Sequence, residues 1–340
     1  MSPKHRFYTS FDDTPDRLVR LLKSHRPQFI SGEDLSNSLQ ISRTAVWKNV
    51  KKLRSLGYKI RSRPKSGYRL DSKTSLLLPW EITDGLQTET IGRKVYYFET
   101  IDSTQNFALS LASKPHENGS VVIAERQTRG RGRQNRKWVS PKGGIWLSIL
   151  LKPNFEISQA SLFPMLTSLA LSLAIEKTLG LEPELRWPND VTLNNKKVAG
   201  ILVDGSIESN KIEYLVIGVG INFRVSPKYI SKKITAESYG VATLVGRDHV
   251  ASPVDFLQSF LVELEKFYNR MVSNEVVGIK KEWEKRSSTI GRTVKVLTPT
   301  GQIAGRAVGI SDDGSLRIRT RGKIKKVAVG DIYRQSSMGR

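Results

Sequence analysis

Three apolar residues in the N-terminal part of this chain strongly constrain its local structure. Val46, Val50 and Leu53 recur at helical spacing and predict a helix with one buried face. Ser42 can cap the start of this helix, and Gly57 is placed to end it. The spacing therefore predicts a helix that packs by one narrow stripe and exposes its other side.

Two shorter helices are predicted ahead of it, one over residues 15–23 and one that Ser31 opens and that ends near Leu39. Apolar and basic residues alternate over 58–70 and are interrupted by Pro64-Lys65-Ser66-Gly67, which predicts a β-hairpin. Three helices followed by a hairpin predict a winged helix-turn-helix.

The charge of the chain, +23 overall, is concentrated at its two ends. Residues 1–73 hold 17 Lys and Arg against 6 Asp and Glu, residues 74–287 hold 27 against 23, and residues 288–340 hold 11 against 3. We expect DNA to be the partner of the N-terminal module. A module that only binds protein, or is structural or autoinhibitory, is the alternative, and a generally basic proteome would explain the C-terminal surplus.

If the module binds DNA, its third helix enters the major groove and its wing reaches phosphates. The predicted contacts on the helix are Arg43, Thr44, Lys48 and Lys51, and those on the wing are Arg61, Arg63, Lys65 and Arg69.

Composition excludes several classes of protein. The chain has no cysteine, so it has no disulfide, thiolate metal site or thiol nucleophile, and its 4 histidines are scattered. No apolar run approaches the ~20 residues of a membrane span. The first residues lack the apolar stretch of a signal peptide. We expect a cytoplasmic protein without a membrane partner.

The chain divides into three predicted domains: residues 1–73, of which 1–13 are expected to be a polar tail, residues 74–287, and residues 288–340. The central domain mixes helices and strands in a way that predicts an α+β fold with a mostly antiparallel sheet. Its predicted strands cover 95–98, 120–125, 145–151, 185–187, 198–203 and 212–221, and its predicted helices cover 104–112, 158–179 and 254–274. Four short strands between residues 293 and 329, separated by glycine turns, predict a small β-barrel.

Residues 130–138 read Gly-Arg-Gly-Arg-Gln-Asn-Arg-Lys-Trp. The glycines let backbone N–H groups approach a ligand closely, and the three arginines carry permanent positive charge. Trp138 offers a flat face that can cover a ring. This loop fits an anion with a planar part, such as an adenylate, and the alternative is a basic loop that touches only nucleic acid or solvent.

Five sequence blocks, taken together and in order, resemble the catalytic domain of biotin–protein ligases. They are Asp102–Asn106, Gly130–Trp138, Arg186–Asp190, Lys197–Leu202 and Ile217–Asn222. With the helix-turn-helix, the chain resembles the bifunctional class, biotin–protein ligase and biotin operon repressor, from about residue 14 to residue 334. The resemblance implies a class II synthetase-like central domain and an SH3-like C-terminal barrel.

The resemblance also implies the reaction. The residues themselves indicate only how a nucleotide is not held. The chain has no GxxxxGK[ST] motif, so any nucleotide is held without a P-loop, and Gly218-Val219-Gly220 is weak as a dinucleotide signal. The reaction that follows is what the resemblance implies. Biotin and ATP, with Mg²⁺, would give biotinyl-5′-AMP, and biotin would pass to a lysine of a biotin carboxyl carrier protein, a subunit of acetyl-CoA carboxylase. Adenylate binding would favour a homodimer that binds operator DNA.

Residue roles carry over by position from the same resemblance. The catalytic residues would be Lys197, Arg131 and Arg133. Biotin would be bound by Ser103, Thr104, Gln127, Gly130, Arg131 and Lys197. ATP and the adenylate would be bound by Arg133, Arg136, Trp138, Asn189, Asp190 and Asn222, with Asp190 also placed to bind Mg²⁺. Trp187 is expected to be a packing residue.

Two positions depart from the common pattern of the family. Gln105-Asn106 stands where many relatives have Asn directly after Ser-Thr, and Arg186 stands where some have Lys. Two other functions remain open: a lipoate–protein ligase or octanoyl transferase, and a biotin-sensing repressor without catalysis. The arginine loop argues against the first, and the intact Lys197 argues against the second.

Overall fold

The computed structural model describes residues 7–9, 14–233, 240–246 and 250–333. Its N-terminal module is the predicted winged helix-turn-helix. In chain order from the N-terminus the elements are β1 (Phe7–Thr9), α1 (Thr14–Ser24), α2 (Gly32–Leu39), α3 (Arg43–Ser55), β2 (Lys59–Arg63) and β3 (Gly67–Ser72). Ser42 caps α3 by accepting from the backbone N–H of Ala45 at 3.1 Å, and the predicted stripe is buried.

The prediction of a polar N-terminal tail was wrong for residues 7–9, and the rest of that tail lies outside the described residues. These three residues form β1, which pairs antiparallel with a strand of the central domain over 95–98. The cause is aromatic packing on both sides of the strand. Tyr8 packs edge-on against Trp80 at 5.6 Å between ring centroids, and Phe7 lies 4.7 Å from Phe98.

The central domain continues with α4 (Pro79–Thr83), β4 (Val95–Phe98), α5 (Thr104–Leu111), β5 (Val121–Ala124), β6 (Ile145–Leu151), α6 (Leu162–Leu179), β7 (Glu184–Arg186), β8 (Asp190–Leu193), β9 (Lys196–Glu208), β10 (Lys211–Ile221), α7 (Pro227–Ser231), α8 (Pro253–Val272) and α9 (Val276–Lys285). In the described part of the chain, eight strands form one sheet in the order β1-β4-β5-β6-β10-β9-β8-β7. Only β4 and β5 pair in parallel there, which confirms the mostly antiparallel prediction.

Several predicted bounds were wrong. A short 3-10 turn (Ile157–Gln159) precedes α6, so this helix begins at Leu162. The predicted strands 198–203 and 212–221 leave residues 204–211 between them, whereas only Ser209 and Asn210, both with positive φ, join β9 to β10. Four elements of the central domain, α4, β8, α7 and α9, were not predicted from the sequence.

The two faces of the sheet have different neighbours. Alternate residues of β6 and β10, among them Leu147 and Val219, face a core formed with α6 and α8. The opposite face packs on α5 through residues such as Val216 and Ala108, and next to α5 it opens into a cavity. The prediction that no apolar run approaches the length of a membrane span was wrong, because residues Ile157–Leu179 are long and apolar enough; most of this segment is buried in the core.

The C-terminal domain is a small antiparallel sheet of the SH3-like type. Its strands are β11 (Thr293–Thr298), β12 (Gly301–Ile310), β13 (Leu316–Thr320), β14 (Lys323–Val327) and β15 (Asp331–Tyr333), in the order β14-β13-β12-β11-β15. The four predicted strands are confirmed, and β15 is an addition. Trp187 Nε1 donates to the carbonyl of Gly314 at 3.2 Å, which joins this domain to the β7 end of the central sheet.

The helix-turn-helix docks at the other end, through a buried polar network. Tyr58 donates its hydroxyl proton to Glu81 at 2.6 Å and accepts from Trp80 Nε1 at 2.7 Å. Lys23 Nζ lies 2.9 Å from the same Glu81 carboxylate. Burial, followed by the charge of Glu81, raises the pKa of Tyr58 well above its ordinary value. The flanking domains thus attach to opposite edges of the central sheet.

Candidate active site

A flat glycine surface forms the floor of the cavity, which has a volume of about 510 Å³. Gly200 of β9 and Gly220 of β10 are cross-strand partners, and Gly218 lies two residues before Gly220 on the same face. A Cβ atom at Gly220 would lie 2.3 Å from Trp138 Nε1, and one at Gly218 would lie 2.5 Å from Gln105 Oε1. The Gly218-Val219-Gly220 motif therefore makes room for side chains above a sheet, which is a different role from a dinucleotide-binding turn.

Lys197 lies at the centre of one wall. Its Nζ lies 2.9 Å from Asp190 Oδ1 and 5.1 Å from the ring centroid of Trp138. Asp190 is buried and Lys197 is half-buried, so this pair faces a partly dehydrated cavity. The Nε1–H of Trp138 faces Gly220 on the cavity floor and is buried without a hydrogen-bond partner among the described residues.

A hydrogen-bonded cluster of hydroxyl and amide groups forms the opposite end. Thr104 donates both its backbone N–H, at 2.8 Å, and its hydroxyl, at 3.1 Å, to Gln127 Oε1. Gln127 Nε2 donates to Ser140 Oγ at 3.0 Å, and the hydroxyls of Thr104 and Ser148 are 2.9 Å apart. Ser103 caps α5 beside them and is buried. Such a cluster can exchange donors and acceptors with a small polar ring.

The arginine loop is attached to the sheet by a carboxylate that the sequence did not single out. Arg131 Nη2 donates to Asp204 Oδ2 at 2.6 Å, and Gln105 Nε2 donates to the same oxygen at 3.0 Å. Gln105 is buried and also accepts from Ser148 at 2.9 Å. The chain thus uses its Gln after Ser-Thr to join α5, β6 and β9 under the cavity.

The C-terminal domain contributes to the same loop. Asp331 of β15 pairs with Arg136 and lies 3.8 Å from Arg133, and the carbonyl of Gly330 accepts from Arg133 Nη1 at 3.4 Å. Arg133 Nη1 also donates to Asn189 Oδ1 at 3.3 Å. Two segments distant in sequence, Asn189 and Gly330-Asp331, therefore fix the positions of these two arginines.

Most of the predicted site residues line one cavity. Those that do are Ser103, Thr104, Gln127, Arg131, Arg133, Arg136, Trp138, Asn189, Asp190 and Lys197. Gly130 does not, because it is buried where a Cβ would lie 2.6 Å from the carbonyl oxygen of Trp138. Asn222 does not line the cavity either. Its Nδ2 donates to the backbone carbonyl of Lys197 at 3.4 Å, behind the cavity wall.

Sequence reasoning missed the carboxylates Asp204 and Asp331, the hydroxyl of Ser148 and the role of Gln105. The only sequence signal for Asp204 was its position four residues after Gly200 on β9, because residues an even number apart on a strand lie on the same face of the sheet. Asp331 is far from the loop in sequence, and nothing local indicates its contact. Trp187 is buried as expected, although one edge of it reaches the cavity.

The side chains predicted to contact DNA lie on two exposed surfaces. Arg43, Thr44, Lys48 and Lys51 are on the outer side of α3, and Arg63 and Lys65 are at the tip of the wing. Arg43 pairs with Glu33, and Arg61 Nε lies 3.0 Å from Asp71.

Arg69 departs from its predicted role. Its guanidinium lies over the ring of Phe29 at 4.8 Å, and its Nε donates to Asp71 at 2.8 Å, which lowers the pKa of that carboxyl. This side chain therefore stabilises the base of the wing and does not extend towards a phosphate.

Comparison with known proteins decides the family. Residues 97–222 match the Biotin/lipoate A/B protein ligase family, residues 16–69 match an HTH domain, and residues 289–334 match the Biotin protein ligase C terminal domain. The Bifunctional ligase/repressor BirA of Bacillus subtilis is 34% identical over 316 residues, which cover 93% of this chain and 97% of that protein. The chain belongs to the biotin–protein ligase family.

Two further relatives are similar to all or to most of the chain. The Bifunctional ligase/repressor BirA of Escherichia coli is 30% identical over 95% of this chain and 98% of its own length. The structure of a biotin protein ligase from Aquifex aeolicus in complex with biotin and ATP superposes with a TM-score of 0.58 at 29% identity, and covers 71% of this chain and 99% of that one. Together these likenesses extend the family assignment to all three domains.

Proposed function

We propose that this protein is an ATP-dependent biotin–protein ligase that also acts as a DNA-binding repressor of biotin genes. The observation that carries the ligase is the cavity in which Lys197, a loop with three arginines and a glycine floor meet a small polar cluster. Its full-length relatives are named ligase and repressor together, and their helix-turn-helix domain has its counterpart here.

In the first step, a carboxylate oxygen of biotin forms a bond to the α-phosphorus of ATP, and the bond to the bridging oxygen of pyrophosphate breaks. Both reactants are anions, so the enzyme has to hold negative charges together. Lys197 would neutralise the carboxylate and the α-phosphate as they meet. Arg133 and Arg136 would receive the phosphates, and Trp138 would stack on the adenine.

Biotin would lie with its ureido ring against the polar cluster and its carboxylate towards Lys197. Ser103, Thr104 and Gln127 can donate to and accept from the ureido group, and Arg131 would align the tail. Because Thr104 and Gln127 already bond each other, the cluster keeps its geometry before the ligand arrives. Asn222, placed beneath β9, would position Lys197 rather than touch the nucleotide.

The carboxylates of the cavity fit a magnesium ion that arrives with ATP. All three are paired with cations, Asp204 and Asp331 with arginines and Asp190 with Lys197; Asp190 would supply one ligand because the family resemblance places it beside the ion. No group of three or more metal-ligating side chains occurs in the described part of the chain, as expected for Mg²⁺ held mainly by phosphates and water. Bound there, the ion would neutralise phosphate charge.

In the second step, the amine of a carrier lysine would attack the carbonyl carbon of the mixed anhydride, and AMP would leave. The acceptor is proposed to be a biotin carboxyl carrier protein of acetyl-CoA carboxylase. This reaction, and the absence of cysteine, are in keeping with a cytoplasmic protein that has no membrane partner.

Repression would depend on a homodimer that forms when the adenylate is bound, because two helix-turn-helix modules are needed for two operator half-sites. In the described residues, β9 pairs only with β10 from Leu202 to Glu208 and offers an open edge there. Asp204, which pairs with Arg131, lies on this edge, so a ligand that contacts Arg131 also acts on the strand through this pair. An isologous pairing of two such edges is the simplest dimer.

A lipoate–protein ligase is the competing enzyme, since the same family description includes it. The test measures pyrophosphate release from ATP with biotin or with lipoate, then transfer to a carrier domain. We expect release with biotin alone and labelling of the carrier lysine. Release with lipoate but not biotin would contradict the proposal, and biotin binding without release would favour a sensor that has lost catalysis.

A further inference from the structure

Trp47 lies on the outer side of α3, among the residues proposed to contact DNA. Its side chain is 51% exposed, whereas the other five tryptophans of the chain are buried or half-buried. It is not part of the core that holds the helix-turn-helix together, and Lys51 Nζ lies 5.5 Å from its ring centroid. The exposed indole therefore has no packing role in the described part of this domain.

Its position on the helix places this indole within a cationic surface. At about 100° per residue, Trp47 lies between Arg43 and Thr44 on the helical wheel, and Lys48 and Lys51 complete the arc. Val46 and Val50 lie about 100° and 60° from Trp47 on the same wheel and are buried in the core, so Trp47 stands beside the buried stripe at the start of the exposed arc. The major groove of DNA has charged phosphates along its margins and, at thymines, apolar methyl groups on its floor. An apolar ring surrounded by cations is complementary to such a surface.

We propose that Trp47 contacts base edges in the major groove of the operator and selects thymine through its C5-methyl group. The inference rests on the proposed repressor function. A protein partner fits less well, because residues 1–73 hold 17 basic against 6 acidic residues and the cations surround the ring. Arg43 and Lys48 supply affinity through phosphates, whereas Trp47 adds sequence discrimination.

The experiment uses the full chain with biotin and ATP and a randomised duplex pool. Sequences enriched by the wild-type protein are resynthesised with each thymine in turn replaced by uracil, which lacks only the methyl group. At one or more positions we expect the wild type to lose affinity several-fold. Trp47→Ala should bind the parent duplex about tenfold more weakly, equivalent to about 1.4 kcal/mol, and should not distinguish thymine from uracil there.

Lys48→Ala is the matched control on the same helix. It should weaken binding to enriched and unrelated duplexes alike and lower the salt slope by about one, while it keeps the preference for thymine. Trp47→Phe retains an apolar ring and should keep part of that preference. Biotin-dependent pyrophosphate release by each variant verifies that the central domain is folded, and binding of Trp47→Phe and Lys48→Ala to the duplex verifies that substitutions on this helix leave the helix-turn-helix folded.

The outcomes separate this inference from the function on which it rests. If the wild type enriches no sequence, the repressor function fails and the role of Trp47 fails with it. If the wild type enriches a sequence and Trp47→Ala binds it with the same affinity and the same response to uracil, only the role of Trp47 is overturned.

Discussion

The guanidinium of Arg131 donates to Asp204 across 2.6 Å and joins the arginine loop to the central sheet. Both side chains are about one quarter exposed, so the pair is neither deeply buried nor fully screened. Asp204 also accepts from Gln105, and one carboxylate therefore holds a loop and a helix against β9. The loop is in this way fixed before a ligand binds.

Asp204→Asn should loosen this attachment, because the amide keeps an acceptor oxygen but loses the charge. Ligand binding would then have to order the loop, and we expect the KM for biotin to rise about threefold to tenfold with little change in kcat. Glu208→Gln, on the exposed end of the same strand, is the control. A lower KM in Asp204→Asn would mean that Asp204 competes with biotin for Arg131.

Asp331→Asn should release Arg133 and Arg136 from the C-terminal domain. Trypsin cleaves after arginine, so we expect faster cleavage within residues 131–136, and protection to return when biotin and ATP are added. Asp312→Asn is a matched control, since Asp312 lies on the C-terminal domain, is exposed and pairs with Lys280 of α9, away from the loop. Equal cleavage of both variants would show that Asp331 does not hold the loop.

Gly220→Ala should displace Trp138, because the new Cβ would lie 2.3 Å from its Nε1 and 2.4 Å from its Cε2. We expect the affinity for ATP to fall about tenfold or more while biotin still binds, as measured by titration calorimetry of each substrate. Gly246→Ala has none of the described residues within 4 Å of its new Cβ and should leave both affinities unchanged. Normal ATP binding by Gly220→Ala would contradict a role of Trp138 in holding the adenine.

The sequence indicated the helix-turn-helix, the mostly antiparallel sheet and most of the cavity wall, because caps, alternation and short motifs are local signals. The contacts of Asp331 and of Phe7–Thr9 could not be found in this way, since each depends on residues far away in the chain. For Asn222, the motif predicted a position near the nucleotide site, but only the folded structure shows that its side chain donates to the backbone carbonyl of Lys197. The bounds of the three domains stay a prediction.

Tyr58→Phe should weaken the docking of the helix-turn-helix by about 1–3 kcal/mol, because Trp80 Nε1 and Glu81 lose a buried partner. The folded pKa of Tyr58 is raised above its ordinary 10.0, so its contribution to stability is complete below pH 10.0 and is lost as the pH rises further. Chemical unfolding on both sides of that pH should show a smaller alkaline loss in the variant. An identical loss in both proteins would assign it to other groups.

Lys197 carries the central claim, and the most direct test is single-turnover formation of biotinyl-5′-AMP by the wild type, Lys197→Ala and Lys196→Ala. Lys196 is the exposed neighbour on the same strand and serves as the matched control. We predict that Lys197→Ala forms the adenylate at least about 100-fold more slowly while it still binds biotin, and that Lys196→Ala behaves as the wild type. Adenylate formation at the wild-type rate by Lys197→Ala would contradict the account.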